Sequence, residues 1–206
     1  MTEVYRDDNV LVVFKPQGIE TAGAGDTLEA RVGAIAVHRL DVNTEGLVIF
    51  ARNPQAKAEL DAAFKNGWVE KTYIALCFGR LRGGAVTLGG YLVKDADAGV
   101  VRISKERSAG AKPVKTVVRH LADAGEMSVL EIKPLTGRTH QIRAHLAGIG
   151  ISIAGDGKYG DFALNKRYGY KRQCLAATQM SFKFPRESPL AYLNQKRFHV
   201  RPKFWS

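Results

Sequence analysis

Residues 46–66 have the sequence GLVIFARNPQAKAELDAAFKN, in which an apolar run leads directly into a helical pattern. The run Gly46–Arg52 is short and rich in β-branched residues, which is typical of a buried strand. Asn53 followed by Pro54 is a common helix start, and apolar residues then recur at helical spacing until a glycine ends the pattern. The stretch therefore predicts a strand followed by a helix over residues 54–66.

Further strand patterns lie on both sides of this stretch. Residues 69–78 (VEKTYIALCF) alternate between two faces, as the residues of a strand do. Similar apolar or alternating runs predict strands at Val10–Phe14, Pro113–Leu121, Met127–Leu135 and Leu175–Phe184, with short β-type runs between residues 79 and 110. A second helix is predicted over Thr139–Ala147, and residues 19–36 and 155–172 are predicted to be loops. Strands with inserted helices favour the α+β class, built on a mixed, mainly antiparallel β-sheet core with flanking helices.

The composition is that of a globular protein: the chain has 206 residues, of which 45% are hydrophobic and 25% charged. No linker divides it, so we expect a single domain over residues 1–206, ending in a basic, aromatic C-terminal tail at residues 185–206. Cys77 and Cys174 lie in separate apolar runs, which predicts two buried thiols and excludes a disulfide-rich secreted protein. The N-terminus lacks the basic start of a signal peptide, and no run of about 18 apolar residues occurs. A cytoplasmic protein without a membrane span is expected.

The positive charge is concentrated in the second half of the chain. Lys and Arg total 31 and Asp and Glu total 20, for a formal net charge of +11. Residues 1–103 hold 12 basic and 13 acidic side chains (net −1), whereas residues 104–206 hold 19 and 7 (net +12). This asymmetry favours a polyanionic partner, either a nucleic acid or another anionic surface.

The segment His38–Thr44 (HRLDVNT) lies just before the predicted strand Gly46–Arg52 and carries a candidate carboxylate. In an extended segment Arg39 and Asp41 point to the same side, so an ion pair there would hold Asp41 ionised and fixed in direction. Such a carboxylate can act as a nucleophile or stabilise charge. An ordinary surface ion pair, worth about 0–1 kcal/mol, explains the same spacing, and spacing alone favours it.

Residues 133–143 (KPLTGRTHQIR) lead from a strand through a glycine turn into a helix. This places Arg138 beside the free backbone N–H groups of a helix start, where an anion is readily bound. An arginine bound to a nearby structural carboxylate is the alternative interpretation. His140 and His145 are about 140° apart around a helix, which argues against a zinc site.

For two aromatic features, the residues alone do not distinguish a structural role from a role in binding RNA. Tyr73 lies on the strand of residues 69–78 and is by default a core aromatic, although its hydroxyl can relay a proton and its ring can stack on a base. Residues 158–172 interleave lysine and arginine with aromatic rings, and the tail repeats this mixture. Cations for phosphates and rings for bases suit exposed nucleotides, but a solvated basic loop explains the pattern equally well.

Together these motifs resemble the RluA type of RNA pseudouridine synthase. The resemblance covers most of residues 10–184 and rests on four segments in the family's order: VHRLDVNTEGLVIFARN, EKTYIALCFG, KPLTGRTHQIRAHLA and IAGDGKYGD. It implies the catalytic fold of that family. Glu45 stands where the family usually has serine and Ala176 where histidine is common, which leaves the subfamily open. Only 37 residues precede the HRLD motif, so no added N-terminal RNA-binding domain is expected.

The resemblance also implies a reaction, the isomerisation of specific uridines in structured RNA (rRNA or tRNA) to pseudouridine. Asp41 matches the catalytic aspartate, a nucleophile or base, and Tyr73 the active-site tyrosine that stacks on the base and relays the C5 proton. Arg138 matches the arginine that pairs with the aspartate, and Arg39 the arginine beside it; both would keep Asp41 ionised, and we expect the pair of Arg138 to be buried. The residues expected to bind substrate RNA are His140, Arg143, Lys158, Lys166, Arg167, Lys171 and Arg172.

No metal or organic cofactor is expected for this isomerisation, and the expected partner of a monomeric enzyme is RNA. A non-catalytic RNA-binding or assembly protein on the same fold fits the basic second half equally well. The set of Arg39, Asp41, Tyr73 and Arg138 distinguishes the two, because binding alone needs no anion paired with arginine. A metal-dependent nuclease would need clustered carboxylates, of which the second half offers few.

Overall fold

The computed structural model describes residues 1–81, 83–95 and 99–205. In chain order the strands are β1 (Thr2–Arg6), β2 (Val10–Lys15), β3 (Ile35–Ala36), β4 (Glu45–Ala51), β5 (Val69–Phe78), β6 (Val86–Asp95), β7 (Val100–Ser104), β8 (Lys112–Ala124), β9 (Met127–Pro134), β10 (Ser152–Ile153), β11 (Leu175–Phe182) and β12 (Arg197–His199). The helices are α1 (Leu28–Val32), α2 (Pro54–Asn66), α3 (Gln141–Gly148) and α4 (Phe162–Tyr168), with short 3₁₀ helices at Ala191–Gln195 and Lys203–Trp205. Within these described residues, none of the helices combines the length and the apolar character that crossing a membrane requires.

The chain packs into two compact units. Unit 1 comprises residues 1–71 together with the described part of 176–206, and unit 2 comprises residues 72–175. The boundaries fall inside β5 and at the first residue of β11, so these strands contribute residues to both units. That the whole chain acts as a single domain stays a prediction.

Unit 1 is built on a sheet in which β4 pairs antiparallel with β2 and β3, and β2 pairs with β1. On its other side β4 pairs in parallel with β11, with Ala176 opposite Glu45, and β12 pairs antiparallel with β11. Gly46 has φ 120°, and a Cβ atom at this position would overlap the backbone of Ala177. The glycine of the TEG sequence is therefore required for the close approach of the two strands.

Helix α2 covers one face of this sheet and begins as the sequence predicts. The side chain of Asn53 accepts a hydrogen bond from the N–H of Ala56 (2.8 Å), and Gly67 ends the helix in the left-handed conformation. Its buried residue Leu60 belongs to an apolar core shared with β2, β4 and β11. The C-terminal segment adds its own apolar residues to this core, namely Leu190, Leu193 and Phe198.

Unit 2 is an antiparallel sheet in the order β10, β5, β9, β8, β6, β7. Ala144 of α3 packs on an apolar cluster formed by Leu92 of β6, Val101 of β7 and Val114 of β8. Both cysteines are buried free thiols, as predicted, and burial raises the pKa of Cys77. The pairings of the two units confirm a mixed, mainly antiparallel α+β fold.

Two predicted loops are wrong in part, because each contains a short helix that begins at a polar cap. Within residues 19–36, Thr27 caps α1, whose C-terminal glycine adopts the left-handed conformation. Within residues 155–172, the side chain of Asp161 accepts a hydrogen bond from the N–H of Leu164 (2.9 Å) and caps α4. Helices of five and seven residues are too short for an apolar period to reveal.

Candidate active site

Asp41 lies in unit 1, in the loop between β3 and β4, and is half-buried. Its carbonyl oxygen accepts a hydrogen bond from the N–H of Thr44 (3.0 Å), which closes a tight turn over the motif. The carbonyl of the next residue, Val42, accepts from the N–H of Gly18 (2.9 Å). The backbone at Asp41 is therefore held from within its own loop and from the turn that follows β2.

A buried ammonium group strengthens this attachment. Lys15 is 0% exposed, and its Nζ donates to the carbonyl oxygens of Pro16 (3.0 Å), Ile19 (2.8 Å) and Val42 (3.1 Å). Burial lowers the pKa of Lys15 to about 8, while the negative charge of Asp41 acts in the opposite direction. Lys15 was not predicted as a site residue, although the KPQG turn that begins with it is visible in the sequence.

His38, the first residue of the HRLD motif, has a fixed ring position. The ring of His38 accepts a hydrogen bond at Nε2 from the N–H of Ile49 (3.0 Å) and stacks on Phe64 with ring centroids 4.6 Å apart. Burial lowers the pKa of His38 well below its usual value, which agrees with a neutral ring that accepts a hydrogen bond.

Leu40 is anchored through Thr21, whose hydroxyl donates to the Leu40 carbonyl (3.2 Å) and accepts from its N–H (3.1 Å). Arg39 lies between these fixed neighbours, and its side chain is exposed. The motif thus presents Arg39 to solvent from a rigid backbone. The predicted ion pair between Arg39 and Asp41 stays a prediction.

Glu45, the residue that departs from the family's usual serine, has a structural partner. Its side chain is buried in β4 and accepts a hydrogen bond from the N–H of Lys203 (2.7 Å). Burial raises the pKa of this carboxyl group. Glu45 therefore attaches the C-terminal segment of the chain directly beside the motif that contains Asp41.

In unit 2, Tyr73 lies in β5 opposite Ile132 of β9 and is buried. Its position on a strand with apolar neighbours matches the default reading of a core aromatic. Its predicted roles toward a base stay predictions.

Arg138 follows β9 in a turn that one glutamine side chain holds in place. Gln141 Oε1 accepts from the N–H of Arg138 (3.2 Å) and from the hydroxyl of Thr136 (2.7 Å), while its Nε2 donates to Thr116 Oγ1 (2.9 Å) and to the Lys115 carbonyl (3.0 Å). The side chain of Arg138 itself is exposed. This corrects the expectation that Arg138 is buried. Gln141 was not predicted, although it lies within the THQIR motif.

His140 has a strained backbone, with φ 52° and ψ 17°, in the left-handed region that a residue other than glycine rarely adopts. Its Nδ1 lies 3.1 Å from the hydroxyl oxygen of Tyr159, and the two rings meet edge to face. Strain of this kind persists only where surrounding contacts maintain it, and it is common at functional sites.

Arg143 has an internal partner, and its predicted contact with RNA stays a prediction. It is 7% exposed, and its guanidinium donates two hydrogen bonds to Asp156, at 2.7 and 2.8 Å. Asp156 is fully buried, and the charge-assisted pair lowers its pKa against the opposing effect of burial. A guanidinium held in this way is part of the packing of unit 2.

The other predicted RNA contacts lie on the surface of unit 2. The exposed cations are Lys158, Lys166, Arg167, Lys171 and Arg172. We call residues 155–172 the basic loop. Elsewhere, no three His, Cys, Asp or Glu side chains of the described residues are grouped as metal ligands would be.

Residues 9–148 match the model of the RNA pseudouridylate synthase family. The chain belongs to this family. The family match contains Asp41, Tyr73 and Arg138, and it ends before the basic loop begins. The predicted membership of the pseudouridine synthase family is confirmed by this match and by the relatives.

Among the relatives in this family, a Vibrio cholerae protein named ribosomal large subunit pseudouridine synthase C is 31% identical over 196 residues, covering 88% of this chain and 61% of its own. A Borreliella burgdorferi protein named ribosomal large subunit pseudouridine synthase D is 31% identical over 217 residues, covering 92% and 66%. The chain thus spans about three fifths of the length of the first relative.

Solved structures of the family agree with the fold. Human RNA pseudouridylate synthase domain containing 1 superposes with a TM-score of 0.76 at 27% identity, covering 97% of this chain and 81% of that one. Human RNA pseudouridylate synthase domain containing 4 superposes with a TM-score of 0.79 at 22% identity, over 99% and 90%. The predicted pseudouridine synthase fold is confirmed.

Proposed function

We propose that this protein isomerises uridine in RNA to pseudouridine. The N1–C1′ glycosidic bond breaks, the detached uracil turns, C5 bonds to C1′, and the C5 proton is lost while N1 regains one. Atoms and electrons balance within the nucleotide, so the reaction needs no co-reactant. The observation that carries the proposal is the family match over residues 9–148, which contains an aspartate on a backbone fixed by internal hydrogen bonds.

Asp41 is the proposed nucleophile or base, acting on the sugar or on the uracil ring. A reacting carboxylate must be ionised and held in one direction, and the backbone contacts of its loop supply the second requirement. The buried ammonium of Lys15, which donates to the carbonyl oxygen of the next residue, Val42 (3.1 Å), adds a further backbone contact to this loop. Arg39 and Arg138 are proposed to keep Asp41 ionised, as the resemblance to the family implies.

Tyr73 is the proposed partner of the uracil ring. A buried tyrosine in a paired strand has a restricted ring, and a restricted ring costs little entropy when a base stacks on it. Its hydroxyl would take the C5 proton after the new bond has formed.

The proposed substrate is ribosomal RNA of the large subunit. This choice rests on the names of the Vibrio and Borreliella relatives, which refer to the large subunit. The target uridine must leave its stack before it can react, at a cost of a few kcal/mol. Phosphate contacts with the exposed cations of the basic loop would offset this cost.

The test is a map of pseudouridine across large-subunit ribosomal RNA from cells with and without the active gene. We expect one or more pseudouridines to disappear with the gene and to return when the purified protein is added to the unmodified transcript. A protein that binds the transcript but forms no pseudouridine on it would support the alternative, a non-catalytic RNA-binding or assembly factor.

A further inference from the structure

The basic loop presents one large aromatic ring to solvent. Phe162, at the first position of α4, is 67% exposed. Single exposed apolar side chains are common on protein surfaces, so the surroundings of the ring must decide whether it serves a ligand.

The other rings of the basic loop are engaged in packing. The hydroxyl of Tyr159 accepts a hydrogen bond from the N–H of Val101 (2.8 Å). Tyr168 and Tyr170 both pack against Phe78, with ring centroids 5.6 and 5.9 Å apart. Among the described residues, the ring at the start of α4 has no aromatic or cation–π contact of this kind.

The backbone beneath this ring is braced. Asn165 Oδ1 accepts from the N–H of Gly155 (2.7 Å), which joins α4 to the start of the basic loop. Asp156 Oδ1 accepts from the N–H groups of Lys158 (2.8 Å) and Tyr159 (3.0 Å), while its carboxylate also binds Arg143. A ring on a fixed backbone is preorganised, so little conformational entropy is lost when it contacts a ligand.

The charge around the ring selects the class of ligand. The basic loop holds five basic side chains and two acidic ones, for a net charge of +3. All five cations are exposed, whereas the acidic Asp156 is buried in its pair with Arg143. Lys166 lies one helical turn from Phe162, on the same face of α4. A ligand that fits must offer a flat apolar face beside negative charge, and an unpaired nucleotide offers both.

We propose that Phe162 stacks on an unpaired nucleobase of the substrate RNA while the neighbouring cations contact its phosphates. This inference rests on the proposed function and narrows its substrate to RNA with an unpaired nucleotide near the target, such as a loop or bulge. A continuous duplex hides the faces of its bases and cannot make this contact.

Fluorescence binding on two probe RNAs tests the proposal. One is a short hairpin with a uridine-rich loop containing one 2-aminopurine, and the other is a fully paired duplex of equal length. For Phe162→Ala we expect about tenfold weaker binding to the hairpin, in the range measured for loss of one stacked base, and unchanged binding to the duplex. The slope of log Kd against log salt should stay unchanged, because no charge is removed.

Substitutions at the same position separate stacking from simple apolar contact. In the wild-type complex, stacking should quench the fluorescence of the 2-aminopurine in the hairpin loop. Phe162→Trp should keep both the hairpin affinity and this quenching, whereas Phe162→Leu should lose both. Ile149→Ala, which removes another exposed apolar side chain of unit 2, should behave as wild type. Thermal melting of each variant checks the fold, which an exposed side chain should not disturb.

Equal hairpin affinity of wild type and Phe162→Ala would overturn the proposal, and so would full rescue by Phe162→Leu or an equal loss on hairpin and duplex. These measurements need no turnover. A protein that stacks through Phe162 but forms no pseudouridine would refute the proposed function and leave the stacking contact standing, and an active enzyme indifferent to Phe162→Ala would do the reverse.

Discussion

The Nζ atom of Lys15 lies 3.1 Å from the carbonyl oxygen of Val42, the residue that follows Asp41. The contact joins positions 27 residues apart and makes a buried cation part of the Asp41 loop. Replacing Lys15 by methionine would remove its hydrogen bonds to the carbonyl oxygens of Pro16, Ile19 and Val42, of which Val42 keeps a second donor, the N–H of Gly18. A buried acceptor that loses its donor costs about 1–3 kcal/mol. We expect Lys15→Met to lower the free energy of unfolding by about this amount and to reduce kcat more than tenfold.

Urea unfolding and tritium release from 5-tritiated uridine in RNA measure these two effects. Lys57→Met is the matched control, because Lys57 lies on the surface of α2 and pairs with Asp61 one turn away. Its change in unfolding free energy should stay within about 0.5 kcal/mol. A Lys15→Met protein with wild-type stability and turnover would show that this ammonium does not hold the loop.

The buried pair of Arg143 and Asp156 predicts a dependence of stability on pH. The folded pKa of Asp156 is lowered from 3.8, so its stabilising contribution is present above pH about 4 and is lost as the pH falls through the folded value. At pH 7, Asp156→Asn should cost about 3–5 kcal/mol, because it leaves the buried guanidinium uncompensated. The difference between wild type and variant should shrink in acid, as the wild-type carboxylate gains its proton.

Unfolding free energies of wild type and Asp156→Asn across the acid range provide the measurement. Asp61→Asn, at an exposed carboxylate, serves as the control and should cost less than about 1 kcal/mol at every pH. A penalty for Asp156→Asn that does not change with pH would contradict a titrating buried pair.

The left-handed backbone of His140 predicts an unusual order of stabilities. Both His140→Gly and His140→Ala remove the imidazole and its contact with Tyr159, but only glycine adopts this conformation without steric cost. The glycine variant should therefore be more stable than the alanine variant by about 1 kcal/mol in thermal or urea unfolding. Equal stability of the two variants would mean that the strain is absent in solution.

The exposed cations of the basic loop predict how binding depends on salt. Replacing Lys166, Arg167, Lys171 and Arg172 by alanine should lower the slope of log affinity against log salt by about 0.7–0.9 for each lost phosphate contact. Turnover of RNA already bound should stay close to wild type, because none of the four residues is assigned to the reaction. Alanine at Lys57 and Lys65 of α2 is the control for loss of charge alone. If the four-alanine variant has the same slope as wild type, the basic loop is a solvated surface that does not contact phosphates.

Local signals allowed the sequence to predict α2 and the central strands. Asn53, Pro54 and the apolar spacing of α2 act within a few residues, so they are visible in one dimension. Helix α4 was not predicted because its seven residues form no apolar stripe. It depends instead on hydrogen bonds that the side-chain oxygens of Asp161 and Asn165 accept from backbone N–H groups.

The candidate site divides in the same way. Asp41 and Arg138 each lie within a short continuous motif, so the sequence predicts them as candidate site residues. The anchoring role of Lys15 depends on the carbonyl of Val42, which only the fold brings near. The motif of Arg143 predicts contact with RNA, whereas its hydrogen bonds to Asp156, 13 residues later, could not be predicted from the motif. Motifs reveal which residues are special, and the folded contacts decide what each of them does.

The role of Asp41 is tested most directly by tritium release from 5-tritiated uridine in large-subunit ribosomal RNA, comparing wild type with Asp41→Asn. The amide keeps the shape of the side chain but carries no charge and is a poor nucleophile and base, so we expect the fold and RNA affinity to persist. Asp61→Asn should release tritium as wild type does. The account predicts no detectable release from the Asp41→Asn protein, and release at the wild-type rate would contradict it.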